Sequence, residues 1–210
     1  MDTLIKKHFS LTDWNFEPGN RYYLNAITYK SPPSSLAAPW PPWTRNFYYC
    51  YLKDTLAPCV PDGRFIAYFF LIEHQLNLRI FFRQQPPLVS NGDQNGYRID
   101  YLSTFLKWRL YRYINGVSLF LGEKTIPSYP YATWKRLRFD FYQYLPPGLI
   151  MTLKVEVFHE VTGEWVSLGF LEDGANQFAN SLANRVGFSL EGAFPMDPSC
   201  IDDTEIWKKA

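Results

Sequence analysis

Apolar and polar residues alternate with period two along most of this chain, the spacing of half-buried strands. "LNLRIFFRQ" sets Leu76, Leu78, Ile80 and Phe82 on one side, and Asn77, Arg79, Phe81 and Arg83 on the other. "YRIDYL" opposes Tyr97, Ile99 and Tyr101 to Arg98, Asp100 and Leu102. In "KWRLYRYINGVSLFLGE" the pair Asn115-Gly116 suits the positive φ of a tight hairpin turn. Trp108, Leu110, Arg112 and Ile114 then share one side, and Arg109, Tyr111 and Tyr113 the other. "WKRLRFDFYQ" alternates Leu137, Phe139 and Phe141 with Arg136, Arg138 and Asp140. "MTLKVEVFHEVTGEWVSLGF" predicts a second hairpin turning at Thr162-Gly163, while "RVGFSLEG" and "DDTEIWK" predict two late strands. The unbroken apolar run "RFIAYFFLIEH" (Arg64 to His74) suits a central strand. Only "NQFANSLAN" (Asn176 to Asn184) has room for a helical turn or two, and its Asn content favours loop. The predicted class is all-β with very little helix.

Composition sharpens this pattern. Aromatic residues make up 19% of the chain, and flat rings pack well on a pleated surface. No Gly/Ser or like-charge linker divides the sequence, and the residues before the Pro-rich "SPPSSLAAPWPPW" (Ser31 to Trp43) are too few to fold alone. One domain over 1–210 is expected, with the N-terminal residues and the 31–43 strap as parts of it. A net charge of +1 lacks the basic excess that displaces counterions from phosphates, so nucleic acid is not an expected partner. "FIAYFFLI" is too short to span a bilayer, and Lys6 and Lys7 precede no apolar run of a secretory signal. Three cysteines make no disulfide framework. Cys50 and Cys59 could close a small loop, with free buried thiols as the other reading.

Several segments, in order, carry a likeness to a known group. They are "SSL" (Ser34 to Leu36), "RIFFRQ", "NGYRIDYL", "LYRYINGVSLFLGE", "TWKRLRFDF", "TLKVEVFHEVTGEWVSLG", "NRVGFSLEG" and "IDDTEIW". Their succession over Ser31 to Trp207 resembles the concanavalin A-like lectin/glucanase superfamily, in particular its laminin G-like jelly rolls. The resemblance implies an antiparallel jelly-roll β-sandwich of two curved sheets, one face concave.

It also raises the question of catalysis. Glucanases of that superfamily use a Glu-x-Asp-x-Glu strand, whose alternation sets three carboxylates on one face. The nearest match is "EVFHE", where Phe158 takes the middle position between Glu156 and Glu160. A phenyl ring carries no charge, and four strand steps separate the two Glu by about 13 Å at Cα. A retaining pair needs roughly 5–5.5 Å between carboxyl groups. No Gly-x-Ser-x-Gly elbow or phosphate-binding glycine loop appears either. The expectation is no enzyme. Nor is a cofactor called for: "NGDQNG" (Asn91 to Gly96) lacks the closing Glu of a calcium loop and reads first as a turn, a structural calcium ion being the alternative.

A binding face is the remaining chemistry. Sugars are held by stacking on rings and by planar polar groups that bond hydroxyls. Arg98 and Asp100, Arg109, Tyr111 and Tyr113, and Arg136 and Arg138 carry that mixture on one alternation phase. Side by side on a concave sheet they would form one polar-aromatic trough; alternatively they pair across a solvated face. Trp40 and Trp43 in "PWPPW" form a second candidate, stiffened by proline. Their other reading is a plug at the sandwich edge.

Two classes of function fit. The first is a non-enzymatic β-sandwich module for assembly or attachment, best expressed as a structural or surface component of a viral particle. Lectin-like jelly rolls usually act outside cells, and virion proteins reach glycans without a secretory signal. The alternative is a stand-alone carbohydrate-binding lectin-like protein, with a glucan hydrolase a distant third. Expected partners are other protein subunits, a homo-oligomer included, and glycans, with no membrane insertion. The expected location is the virion or the cytoplasm.

Overall fold

Each strand gives one side to an interior and the other to its surroundings, and the chain uses this to build two antiparallel sheets. A computed structural model describes residues 2–7, 14–16, 23–25, 35–37, 47–52, 62–71, 77–85, 95–102, 105–127, 133–144, 150–175, 177–178, 185–191 and 200–209. Among them there is no helix. The only described residues of 176–184, Gln177 and Phe178, form a turn; the rest of that segment lies outside the described residues.

The eight-stranded sheet contains β1 (Thr3–Lys7), β3 (Tyr23–Asn25), β4 (Ser35–Ala37), β6 (Gly63–Leu71), β11 (Thr133–Tyr144), β12 (Ile150–His159), β13 (Glu164–Asp173) and β15 (Cys200–Lys208). Its order is β13-β12-β11-β6-β15-β4-β3, with β1 also paired to β15. The seven-stranded sheet contains β2 (Trp14–Phe16), β5 (Phe47–Leu52), β7 (Asn77–Gln84), β8 (Asn95–Leu102), β9 (Lys107–Ile114), β10 (Val117–Thr125) and β14 (Arg185–Glu191). Its order is β10-β9-β8-β7-β14-β5-β2. The apolar run at Arg64 to His74 supplies β6, which sits between β11 and β15 as a central strand.

The core lies between the sheets. Phe65, Phe69, Leu137, Phe139, Phe141, Leu153 and Val155 face it from one side, and Leu78, Ile80, Phe82, Tyr97, Ile99, Trp108, Leu110 and Phe188 from the other. Rings meet across the gap: Phe82 lies 4.9 Å from Phe141 and Phe65 lies 6.3 Å from Phe188. Each fully buried ring of this kind contributes about 1.5–3 kcal/mol.

Polar groups also tie the sheets. The Trp108 indole N–H on β9 donates to the Leu168 carbonyl on β13 at 2.9 Å. Arg112 Nη1 bonds both carboxylate oxygens of Asp173 at 2.8 Å, and the Tyr97 hydroxyl donates to the same group at 2.6 Å. The Ala175 N–H donates to Asp173 and the Gln177 N–H to the Tyr97 hydroxyl, which fixes the chain just after β13. Below this cluster Arg83 is fully buried, in a positive-φ conformation, and bonds Asp62 at 2.6 Å. A shift in β14–β7 pairing between Arg185 and Gly187 marks the same place. Arg83 thereby leaves the alternation that its sequence neighbours keep.

The turns follow their chemistry. Asn115 and Gly116 have φ of 49° and 77°, the paired positive values of a two-residue hairpin turn. Asn115 N–H is further held by the Asn95 side chain at 3.0 Å. The β12–β13 hairpin closes through the turn residues 160–163, with Gly163 at φ 71°.

Burial, followed by the hydrogen bond and charge of Asp173, raises the Tyr97 hydroxyl pKa well above that of free tyrosine. Because the folded value exceeds the unfolded one, stability is intact below about pH 10 and falls as pH rises past it. Urea unfolding at neutral pH should find Tyr97→Phe weaker by about 1–3 kcal/mol, since Asp173 and the Gln177 N–H each lose a partner. The alkaline loss of stability should be shallower in that variant than in wild type.

Candidate functional site

The residues singled out by alternation all point away from the core, yet they do not form one trough. Arg98, Asp100, Arg109, Tyr111 and Tyr113 lie on the seven-stranded sheet, and Arg136 and Arg138 on the eight-stranded one. The single trough expected from sequence is therefore replaced by two separate faces. Alternation tells in from out, but only long-range pairing tells which sheet a strand joins. After β10 the chain passes to the other sheet, where β11 pairs with β6 and β12. Trp40 and Trp43 lie outside the described residues, as does Cys59 and the side chain of Cys50.

On the seven-stranded sheet the nominated residues mostly engage one another. Arg98 faces Tyr111 and Asp100 faces Arg109 across the β8–β9 ladder. The Arg98 guanidinium sits 5.0 Å from the Tyr111 ring and 4.8 Å from the Tyr113 ring. It also bonds Asp100 Oδ2 at 3.1 Å, and Arg79 reaches Asp100 at 3.4 Å. Arg98, Asp100 and Tyr113 are buried, as are their neighbours Phe81 and Ser189 on the same face. Arg109 and Lys107 both bond Glu123, and the two hydrogen bonds hold the Glu123 carboxyl below the usual carboxylate range. Tyr111 is half-buried beside the exposed Phe120. Among the described residues of this face, the centre around Arg98 and Asp100 is closed to a ligand, and Phe120 on the β10 edge is exposed.

The outer face of the eight-stranded sheet is different. Pairing across strands arranges it in rows. One row holds Asp202 on β15, Tyr68 on β6 and Arg136 on β11. Phe158 on β12 and Trp165 on β13 face each other and extend that row. The Arg136 guanidinium lies 5.4, 5.6 and 5.5 Å from the Tyr68, Phe158 and Trp165 rings. The next row is Glu205, Ile66, Arg138, Glu156 and Ser167. Arg138 stacks 4.5 Å over Trp165 and bonds Glu156; Arg136 reaches Glu205 at 3.3 Å, which also takes the Trp207 indole N–H at 3.1 Å. A third row runs Trp207, Arg64, Asp140, Lys154 and Phe170. Here Arg64 bonds Asp140 at 2.6 Å and Lys154 reaches back to Glu156 at 2.7 Å.

Tyr68, Phe158, Trp165, Arg136 and Arg138 are all half-buried, so each offers an edge or face to the outside. Sequence reasoning nominated the two arginines but missed the rings around them. The signal for two of those rings was in "FHEVTGEW": folding this segment about its turn brings Phe158 opposite Trp165. Phe158, which breaks the glucanase motif, is part of the platform instead. Tyr68 was hidden inside an apolar run.

The charges on this face are mutually compensated. Burial pushes the Glu156 carboxyl up, but the hydrogen bonds from Lys154 and Arg138 outweigh it and hold the group below the usual range. Burial and the Glu160 charge raise the Tyr68 hydroxyl pKa. Glu160, the other carboxylate of "EVFHE", sits exposed in the turn after β12. No group of three or more His, Cys, Asp or Glu able to hold a metal occurs among the described residues. No helix among them is long and apolar enough to cross a membrane.

No protein-family model matches the sequence, and no curated protein is similar to it. Solved structures are similar in fold. The winged bean acidic lectin, complexed with methyl-α-D-galactose, superposes with a TM-score of 0.57 at 10% identity, over 99% of this chain and 97% of the lectin. The CBM2 module of the evolved Dit protein of Lactobacillus casei BL23 phage J-1 matches with a TM-score of 0.54 at 10% identity, over 98% of this chain and 95% of the module. An engineered GH43 glycoside hydrolase matches with a TM-score of 0.56 at 10% identity, over 96% of this chain but 39% of that chain. Other similar structures include the carbohydrate-binding module CBM66 from Bacillus subtilis and a native glycosidic hydrolase, the latter over 99% of this chain and 94% of that chain. The chain has the concanavalin A-like jelly-roll fold.

Because the folded pKa of Glu156 lies below its unfolded value of about 4.3, its contribution to stability is present above that pH and lost as pH falls through the folded value. Glu156→Gln should lower stability at neutral pH by about 1.5–3 kcal/mol, the worth of hydrogen bonds to a charged group. Measured between neutral and acid pH, the variant should lose less further stability than wild type.

Proposed function

We propose that the protein is a non-enzymatic attachment module of a particle surface, which holds glycans on the outer face of its eight-stranded sheet. The observation that carries this is the row of Tyr68, Arg136, Phe158 and Trp165, with the Arg138–Glu156 pair beside it. Half-buried rings provide apolar faces for sugar C–H groups. The guanidinium and carboxylate edges between them supply donors and acceptors to hydroxyls, held rigid by their mutual bonds. A non-catalytic role is supported by the state of the carboxylates: Glu156 is engaged by two cations and Glu205 by Arg136 and Trp207. The lectins and carbohydrate-binding modules that share the fold favour the glycan part of the proposal. The phage module favours the particle part.

A glycan array probed with wild type, Trp165→Ala and Tyr111→Ala, with calcium and with chelator, tests the site. Binding should survive chelation and the Tyr111 change, and fall about ten-fold or more in Trp165→Ala, equivalent to 1.4 kcal/mol. Loss on changing Tyr111 alone would move the site to the other sheet.

The edge strand β10 favours assembly with a second copy as an additional role. Val117 is 72% exposed and Phe120 52%, with Leu119 and Ile114 also uncovered, although unprotected apolar edges are ordinarily avoided. Sedimentation should show self-association of wild type that Leu119→Lys abolishes; a wild type monomeric at high concentration contradicts it.

A further inference from the structure

We infer that the outer face of the eight-stranded sheet selects neutral oligosaccharides and rejects acidic or sulfated ones; this rests on the proposal that the face holds glycans. The basis is how its cations are engaged. Arg64 bonds Asp140 at 2.6 Å and lies 3.8 Å from Asp2. Arg138 bonds Glu156 and lies 3.5 Å from Asp140, Lys154 bonds Glu156, and Arg136 reaches Glu205. Arg64, Arg138 and Lys154 thus share Asp2, Asp140 and Glu156 in one connected array, with the Arg136–Glu205 pair beside it, and Asp140, Glu156 and Glu205 are buried.

An anionic ligand on an already neutralised guanidinium meets the neighbouring carboxylate's charge, and it gains a full ion pair only by drawing the guanidinium away from that carboxylate. Uncovering a buried charge in this way costs more than a new surface pair returns. The end of the row beside β15 is still less welcoming to an anion. Asp202 stands opposite Tyr68 there, and the charges of Glu160 and Asp203 act on the Tyr68 hydroxyl. A sugar hydroxyl meets no such penalty, because it both donates and accepts. It can bond the outward edge of a guanidinium and a neighbouring carboxylate together, leaving the pairs intact.

Size follows from the strand spacing. Four adjacent strands carry Tyr68, Arg136, Phe158 and Trp165, so the row is about 14 Å long at roughly 4.8 Å per strand. That length suits a short oligosaccharide lying across the strands better than one sugar ring. Affinity should then depend on rings and hydroxyls, with little dependence on salt.

The test uses matched oligosaccharide pairs, a neutral chain and its sulfated or uronic counterpart, titrated into the 210-residue chain at low and high ionic strength. Wild type should prefer the neutral member about ten-fold or more, 1.4 kcal/mol, with affinity unchanged by salt. Glu205→Gln, its fold checked by thermal unfolding, should narrow the gap by releasing Arg136 for the acidic member. Preference for the acidic member, weakened by salt and lost in Trp165→Ala, would overturn the charge inference while leaving the face as the binding site. If folded wild type binds neither member, or Trp165→Ala changes nothing, the glycan proposal falls and this inference falls with it.

Discussion

Every strand of the sandwich has to give one whole face to the core, and that constraint distributes all the other chemistry of the molecule. The aromatic residues, abundant enough to fill an interior and still line a surface, divide by parity. Phe65, Phe69, Phe139 and Phe141 go inward, while Tyr68, Phe158 and Trp165 stay outside with the arginines. Where a charged group falls on the inward parity it must find a partner across the gap. Arg112 does so in Asp173, with Tyr97 completing the coordination. This buried link joins β8 and β9 to the end of β13, whose other end carries Trp165. A structural clamp in the interior and a platform on the surface thus sit at the two ends of one strand.

The same parity explains how much could be read in advance. The inward and outward sets on β8, β9 and β11 follow directly from alternation, as does the hairpin at Asn115-Gly116, because both are local. Sheet membership is not local. Arg109 and Arg136 have the same phase and similar neighbours in sequence, yet opposite sheets receive them, since β11 pairs with β6 across a long stretch of chain. The partner of Arg112 lies on β13, and nothing near either residue announces the other. Arg83 departs from alternation at a bulge, which depends on β14 and so leaves no trace in its own strand.

The two outer faces show that similar composition can serve different ends. On the seven-stranded sheet Arg98, Asp100 and Tyr113 are buried and Arg98 lies against the Tyr111 and Tyr113 rings, so their polarity serves internal order. On the eight-stranded sheet, the Arg136 and Arg138 guanidinium groups lie close to half-buried rings, and the carboxylates of Glu205 and Glu156 hold them there. Such a surface is preorganised: its side chains lose little freedom when a ligand arrives. The proposed glycan-holding role draws on that preorganisation.

The central claim is that the eight-stranded sheet, not the seven-stranded one, carries the binding face. Indole N–H resonances followed by NMR during titration with a neutral oligosaccharide test it most directly. Trp108, bonded to Leu168 inside the core, serves as an internal reference. The Trp165 and Trp207 signals should move in a saturable way while Trp108 and the Tyr111 ring signals stay in place. Movement confined to Tyr111, with Trp165 and Trp207 unaffected at saturation, would contradict the account.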